Sequence, residues 1–392
     1  MSTNKVPDRI DLKLVWADTI VPENVEWIWQ DVIPQSELGY CYGYSGQGKS
    51  PLWTDICARV TAGAAFPGGA ENTFGPRSVL MMSREDDWSK VVVPRIIAAC
   101  GNPALVANVE CSVITKDASI EERTTALGRD IGTLITTLKD WQPGKPFPLL
   151  ILIDPFFDYI GEIKPKEESE VAPLLNDLVR ICKRFNITII ILGHFNKRSD
   201  AAYHTEKVMG CQAMTRVPRF GFYVLQDKES SDKHVHELIP GRQSLSAWSG
   251  LKYSTTAVPL EVTVGKKKVI LRSVVSIKWG GAAKGTTEDV GVKSASSEAK
   301  SDVEEASVII HKFLAAGEKS CADCIEQLKL AGFVCSSEDE VAERRFHSRV
   351  RKKAGAESYQ KSQRQWWWRL VYPEQASFDD YNPALETEEA TQ

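Results

Sequence analysis

The chain has 392 residues, with 48 Lys plus Arg against 52 Asp plus Glu, and is 43% hydrophobic and 26% charged. These values fit a soluble chain of two or three domains and exclude one that is wholly disordered, collagenous or membrane-embedded. The net charge of −4 also excludes a surface that is basic all over, although such a sum hides local asymmetry.

The first residues, MSTNKVPDRIDLKL, carry charge where a secretion signal needs an apolar core. The longest apolar runs, from Pro148 to Ile153 and from Thr188 to Leu192, are far short of the ~20 residues that cross a bilayer. Nine cysteines, an odd number scattered along the chain, do not read as a disulfide framework. A reducing cytoplasm is the expected setting, with no membrane partner.

Composition divides the chain into five stretches. Residues 1–37 are a Trp-bearing lead-in. Residues 38–279 alternate strand-like apolar runs with amphipathic ones, which predicts an α/β core with a mostly parallel sheet covered by helices on both faces. Residues 280–302 are rich in Gly, Ser, Thr and Ala and read as a flexible linker. Residues 303–372 form a compact segment of helix, helix, basic helix and a short strand pair. Residues 373–392 hold six acidic side chains and no basic one, a disordered acidic tail by composition.

The most specific signal is Gly43 through Ser50, GYSGQGKS, which fits G-x-x-x-x-G-K-[ST]. Gly43, Ser45, Gly46 and Gly48 let backbone N–H groups curl around a β-phosphate, Lys49 neutralises the β/γ oxygens, and the Ser50 hydroxyl suits Mg²⁺. SELGYCYGY before it reads as a strand, and the run after Pro51 reads as a helix whose N-terminus faces the phosphates. Proline directly after the serine is unusual, yet a helix's first turn tolerates it.

RSVLMMSREDD is a strand ending in Glu85, Asp86 and Asp87. Glu85 is the expected base for the attacking water, a solvated acidic turn being the alternative. LLILIDP is a buried strand ending in Asp154, whose carboxylate can hold Mg²⁺ through water. Together with Lys49 and Ser50 it points to a nucleoside triphosphatase. TIIILGHFNK then delivers His194 at a further strand end, where it can report on the γ-phosphate.

With these motifs in place, the chain resembles the RepA-like branch of the RecA/DnaB superfamily, ATPases common on plasmids and phages. The resemblance starts at VEWIWQDVIPQSELGYCYGYSGQGKS, runs through ARVTAGAAFPGG, VLMMSREDD, LLILIDPFFDYIG and IIILGHFNKRS, and reaches GCQAMTRVPRFGFYV and IPGRQSLSAWSGLKY. It implies a RecA-like fold, ATP and Mg²⁺ as cofactors, and a ring-shaped homo-oligomer, a hexamer by family habit. It also implies an arginine supplied by a neighbour: Arg219, at the end of a Gly-x-x-Ala helix, or Arg242, in a turn before the last core strand. Arg216 competes with both, a surface salt bridge is the plain alternative for each, and Pro218 departs from the family's continuous helix. The loop after His194 would face single-stranded DNA with Lys197, Arg198 and Lys207, unless it is only a surface loop.

From Arg344 to Arg369, nine residues are basic and one is acidic. The order of elements and the closing Trp366, Trp368 and Leu370 resemble a winged helix, with Arg345, Arg349, Lys352 and Lys353 turned to DNA. Cys321 and Cys324 form a C-x-x-C but sit in an expected helix whose core face already accounts for them. The combined expectation is a DNA translocase and replicative helicase of a mobile element. The alternative is an ATP-switched DNA-binding or assembly protein without unwinding activity, such as a replication initiator, recombination mediator or defence-system scaffold. A RecA-type ATPase acting only on proteins is the third class. The acidic tail either competes for the basic face or recruits a protein partner.

Overall fold

The computed structural model describes residues 14–114, 120–196, 203–264, 267–290, 295–315, 317–331, 333, 340–362 and 365–370. The chain divides into two units: Met1–His194 with Val208–Thr287, and Phe195–Lys207 with Glu288–Gln392. The segment Phe195–Lys207, within the stretch 38–279, groups with the second unit.

The first unit is built on a nine-stranded sheet. Its strands are β1 (Leu38–Gly43), β2 (Ser78–Ser83), β3 (Val106–Asn108), β4 (Pro148–Asp154), β5 (Thr188–His194), β6 (Phe220–Gln226), β7 (Val235–Gln243), β8 (Leu251–Val264) and β9 (Lys267–Ala282). They lie in the order β9-β8-β7-β6-β1-β5-β4-β2-β3. All pairings from β6 to β3 are parallel, and those from β6 to β9 are antiparallel. This is an α/β fold with a mostly parallel sheet. Strands β1 and β4 are buried throughout their length, and β5 up to its last residue, which explains their unbroken apolar runs: a strand covered on both faces has no polar side to alternate with.

Helices α1 (Lys49–Ala62) and α2 (Val93–Ala98) cover one face, and α3 (Leu127–Lys139), α4 (Glu168–Phe185) and the short α5 (Ala213–Arg216) the other. α1 starts at Gly48 and stops at Gly63, both left-handed, and the Gly63 N–H closes on the Arg59 and Val60 carbonyls. Pro51 occupies its first turn, where an N–H has no intrahelical acceptor to lose.

Two features differ from the sequence expectation. The helix expected to run to Arg219 ends at Arg216, with Val217 still helical at its C-cap; Pro218 after it brings no N–H to carry the hydrogen-bond ladder further. The core also ends in a long hairpin. β8 pairs with β7 only over Leu251–Ser254, while β8 and β9 pair with each other from Leu251 to Val264.

The second unit holds α6 (Ala295–Ala315), β10 (Lys319–Ser320), α7 (Cys321–Leu330), α8 (Glu340–Lys353), β11 (Ala356–Ser362) and β12 (Gln365–Leu370). A separate three-stranded sheet runs β10-β12-β11. Ala306, Ile310, Leu314, Cys324, Leu328, Val350 and Trp368 make its core. The Ser320 hydroxyl caps α7 by accepting the Asp323 N–H at 3.1 Å. No helix of the described residues is long and apolar enough to cross a membrane.

Candidate functional site

The parallel strands β1, β2, β4 and β5 all end on the same edge of the sheet, and their last residues build the site. Gly46 and Gly48 adopt φ of 77° and 73°, values that favour glycine. The loop they shape ends at Lys49, 6% exposed. Its ammonium donates to the carbonyls of Gly43 at 2.9 Å and Tyr44 at 2.8 Å, and lies 3.3 Å from His194 Nδ1. An ammonium can only donate, so Nδ1 accepts and the ring proton of a neutral His194 sits on Nε2. That nitrogen faces Glu85 Oε1 at 3.8 Å. Lys49 at the start of α1, His194 at the end of β5 and Glu85 after β2 thus form a row.

His194 owes its place to packing beneath it. The Tyr42 ring of β1 packs against Gly193 of β5, so that a Cβ at 193 would sit 2.3 Å from the ring. This close approach requires glycine immediately before the histidine.

The Ser50 hydroxyl acts on the Asp154 carboxylate and favours its charged form. Burial, aided by the Glu85 charge, raises the Asp154 carboxyl to about 6 against the lowering effects of Ser50, Lys49 and His194. Of the three acids after β2, Asp86 pairs with Arg95 and Asp87 caps the following helical turn through the Lys90 N–H at 2.8 Å. Glu85 is the one turned towards His194, with its side chain 49% exposed. Arg84, beside it, stacks over the Tyr159 ring at 4.0 Å and donates to the carbonyls of Asp158 and Thr125.

A family model described as an AAA domain matches residues 4–200. The chain belongs to that family. The AAA domain match covers the phosphate loop and the strands that deliver Glu85, Asp154 and His194, and it assigns the first unit to the ATPases in general. Among solved structures, an ATPase domain of another protein is similar at 10% identity and a TM-score of 0.40, over 56% of this chain and 81% of that one. A comparison with curated proteins finds no match.

The arginines expected to serve a neighbour lie elsewhere. Arg219 precedes β6, and Phe220 pairs with Gly39 at the start of β1, so Arg219 stands at the sheet edge opposite the phosphate loop, with its side chain exposed. Arg242 is in strand β7 rather than in a turn, opposite Gly221. Its guanidinium donates to the carbonyls of Thr215 at 2.9 Å and Arg216 at 2.5 Å, closing the end of α5. Arg216 pairs with Glu168.

Of the expected DNA contacts, Lys197 and Arg198 lie outside the described residues. Lys207 is buried at 6% exposure, and its carbonyl accepts the Asn196 N–H. In the second unit, Arg349, Lys352 and Lys353 are exposed on α8, while the Arg345 side chain lies outside the described residues. Arg351 turns inward to Ser358.

Sequence reasoning missed the residues that wall the phosphate loop from β7 and β8. His236 is 4% exposed, its Nδ1 has no hydrogen-bond partner among the described residues, and burial lowers its ring to about 4. Tyr253 donates to the Gln47 carbonyl at 2.8 Å. These side chains follow the loop by some two hundred residues and belong to no motif, so nothing in the sequence marks them.

Proposed function

We propose that the protein is an Mg²⁺-dependent ATPase that assembles into a ring and works on DNA. The row Lys49–His194–Glu85 beside Ser50–Asp154 carries the reading, because it places a phosphate cation, a water-activating carboxylate and a reporter of the γ-phosphate at one sheet edge. The hydroxyl of Ser50 and the carboxylate of Asp154 are the hard oxygen donors Mg²⁺ prefers, and these two residues would hold it. Bound there, the ion would offset charge on the β- and γ-phosphate oxygens. Lys49 leaves the Gly43 and Tyr44 carbonyls for phosphate oxygens, and Glu85 takes the proton of the attacking water.

Support for DNA comes from the second unit. Its order of helix, strand, helix, helix, strand, strand is that of a winged helix, and α8 presents Arg349, Lys352 and Lys353 to solvent. Support for self-association comes from Leu14, Val15, Trp16, Ile20, Val21 and Val25, each 42–79% exposed, since clustered exposed apolar side chains mark interaction surfaces. Arg219 is then the finger offered to a neighbour, and Arg242 sets the segment that carries it.

A forked-DNA strand-displacement assay tests the reading. ATP-dependent unwinding supports a replicative helicase of a mobile element. DNA-stimulated hydrolysis without unwinding overturns that role and leaves an ATP-switched assembly protein, a reading favoured by the burial of Lys207 in the loop expected to grip single strands.

A further inference from the structure

Strand β8 runs across the phosphate loop. Tyr253, 1% exposed, donates its phenol O–H to the carbonyl of Gln47 at 2.8 Å. Two residues on, the Thr255 methyl lies 2.9 Å from where a Cβ on Gly48 would be. His236 is opposite Tyr253 in the β7–β8 register, with the two rings 5.5 Å apart. The Gln47 side chain reaches back and accepts the Tyr44 N–H at 2.8 Å.

A phosphate loop works when its N–H groups point inward, which requires its carbonyls to point outward and find donors. Gln47 lies between two glycines in left-handed conformation, where the peptide planes turn most easily. In a trans peptide the C=O and the following N–H point in opposite directions. A bond from Tyr253 to the Gln47 carbonyl therefore aims the Gly48 N–H away from β8, towards the open side of the loop.

We propose that Tyr253 is a positioning residue for the phosphates of a bound nucleotide: its O–H locks the Gln47–Gly48 peptide in the orientation that receives an anion. The proposal rests on the reading of Gly43–Ser50 as a phosphate site. It gives the antiparallel half of the sheet a task at the parallel half's active edge.

The experiment measures binding of ADP, pyrophosphate and adenosine, and steady-state hydrolysis, for the full chain and for Tyr253→Phe, Thr255→Val and Lys49→Ala. Tyr253→Phe keeps the ring and removes only the donor, so it is expected to weaken ADP and pyrophosphate about tenfold, the order of one unmade hydrogen bond. Adenosine binding is expected to stay unchanged, KM for ATP to rise by the same factor and kcat to stay within twofold. Thr255→Val keeps the methyl and is expected to bind as wild type. Unchanged ADP and pyrophosphate affinity in Tyr253→Phe overturns the proposal. So does an equal loss in Thr255→Val with a lowered melting midpoint in both, which marks a wall that has merely loosened. Full nucleotide binding by Lys49→Ala would instead sink the phosphate-site reading itself.

Discussion

Two buried residues beside the phosphate loop give the first unit opposed pH dependences. Asp154 titrates at about 6 in the folded chain against an ordinary 3.8, so the folded state holds that proton more tightly. Its contribution to stability is full below pH 3.8 and is lost as pH rises through 6, a cost on the order of 3 kcal/mol at neutral pH. His236, lowered from 6.5 to about 4 by burial, works the other way: its contribution is full above pH 6.5 and is lost as pH falls towards 4. Between about pH 4 and 6 the two slopes oppose each other. Asp154→Asn should therefore stabilise the nucleotide-free protein at pH 7 and uncover stability that rises with pH from about 4 to 6.5. Chemical denaturation of both proteins across this range checks it, and superimposable profiles would count against the burial argument. In hydrolysis, Lys49→Ala should abolish turnover. Glu85→Gln should bind ATP and turn over at least a hundredfold more slowly, as loss of a general base demands; normal turnover in Glu85→Gln would refute that role.

At the scale of elements, the sequence was legible where burial is two-sided and silent where it is not. β1, β4 and β5 could be read from their apolar runs, and with them the strand-end positions of Asp154 and His194. Hairpin β8–β9 could not: Pro259 interrupts its apolar alternation and sits at a register shift between Val258 and Leu260, one of the few places in a sheet that accept proline. With the hairpin unread, Tyr253 and His236 had no context. The break at Pro218 likewise detached Arg219 from the helix expected to carry it. The contact between Tyr42 and Gly193 supplies a test at this scale. Gly193→Ala puts a methyl against the ring, so β5 must shift and take His194 away from Lys49. Hydrolysis should fall at least tenfold, and Tyr42→Leu in the same chain should recover part of it by vacating the space. If Gly193→Ala is as active as wild type, the spacing of β1 and β5 does not set the histidine.

For the whole molecule, the net charge of −4 proves to be an average over unlike parts. The stretch Arg344–Arg369 contributes +8 by its nine basic residues and one acid, and the tail from Glu374 contributes −6. The surface that most needs an explanation is neutral to acidic and apolar. From Leu14 to Glu26 every residue is exposed, and among the described residues the hydrogen bonds of Leu14–Val25 are local ones, from Thr19 to Trp16 and from Ile20 to Ala17. Six large apolar side chains held in water cost free energy that a second surface would return at about 25 cal/mol per Å². Covering them would bury area of the order of the ~800 Å² that each partner contributes to a stable interface. If this segment serves ring assembly, removing residues 1–25 should leave the core folded, since its buried cluster starts at Ile28. The truncated chain should bind ADP as the full chain does yet sediment as a monomer at micromolar concentration with ATP and Mg²⁺. Its hydrolysis should then no longer be rescued by mixing Arg219→Ala and Lys49→Ala chains, a complementation expected of the full-length pair when an arginine acts in trans. A truncated chain that still assembles would place the ring contacts elsewhere, and a full-length chain that stays monomeric under the same conditions would remove the ring itself.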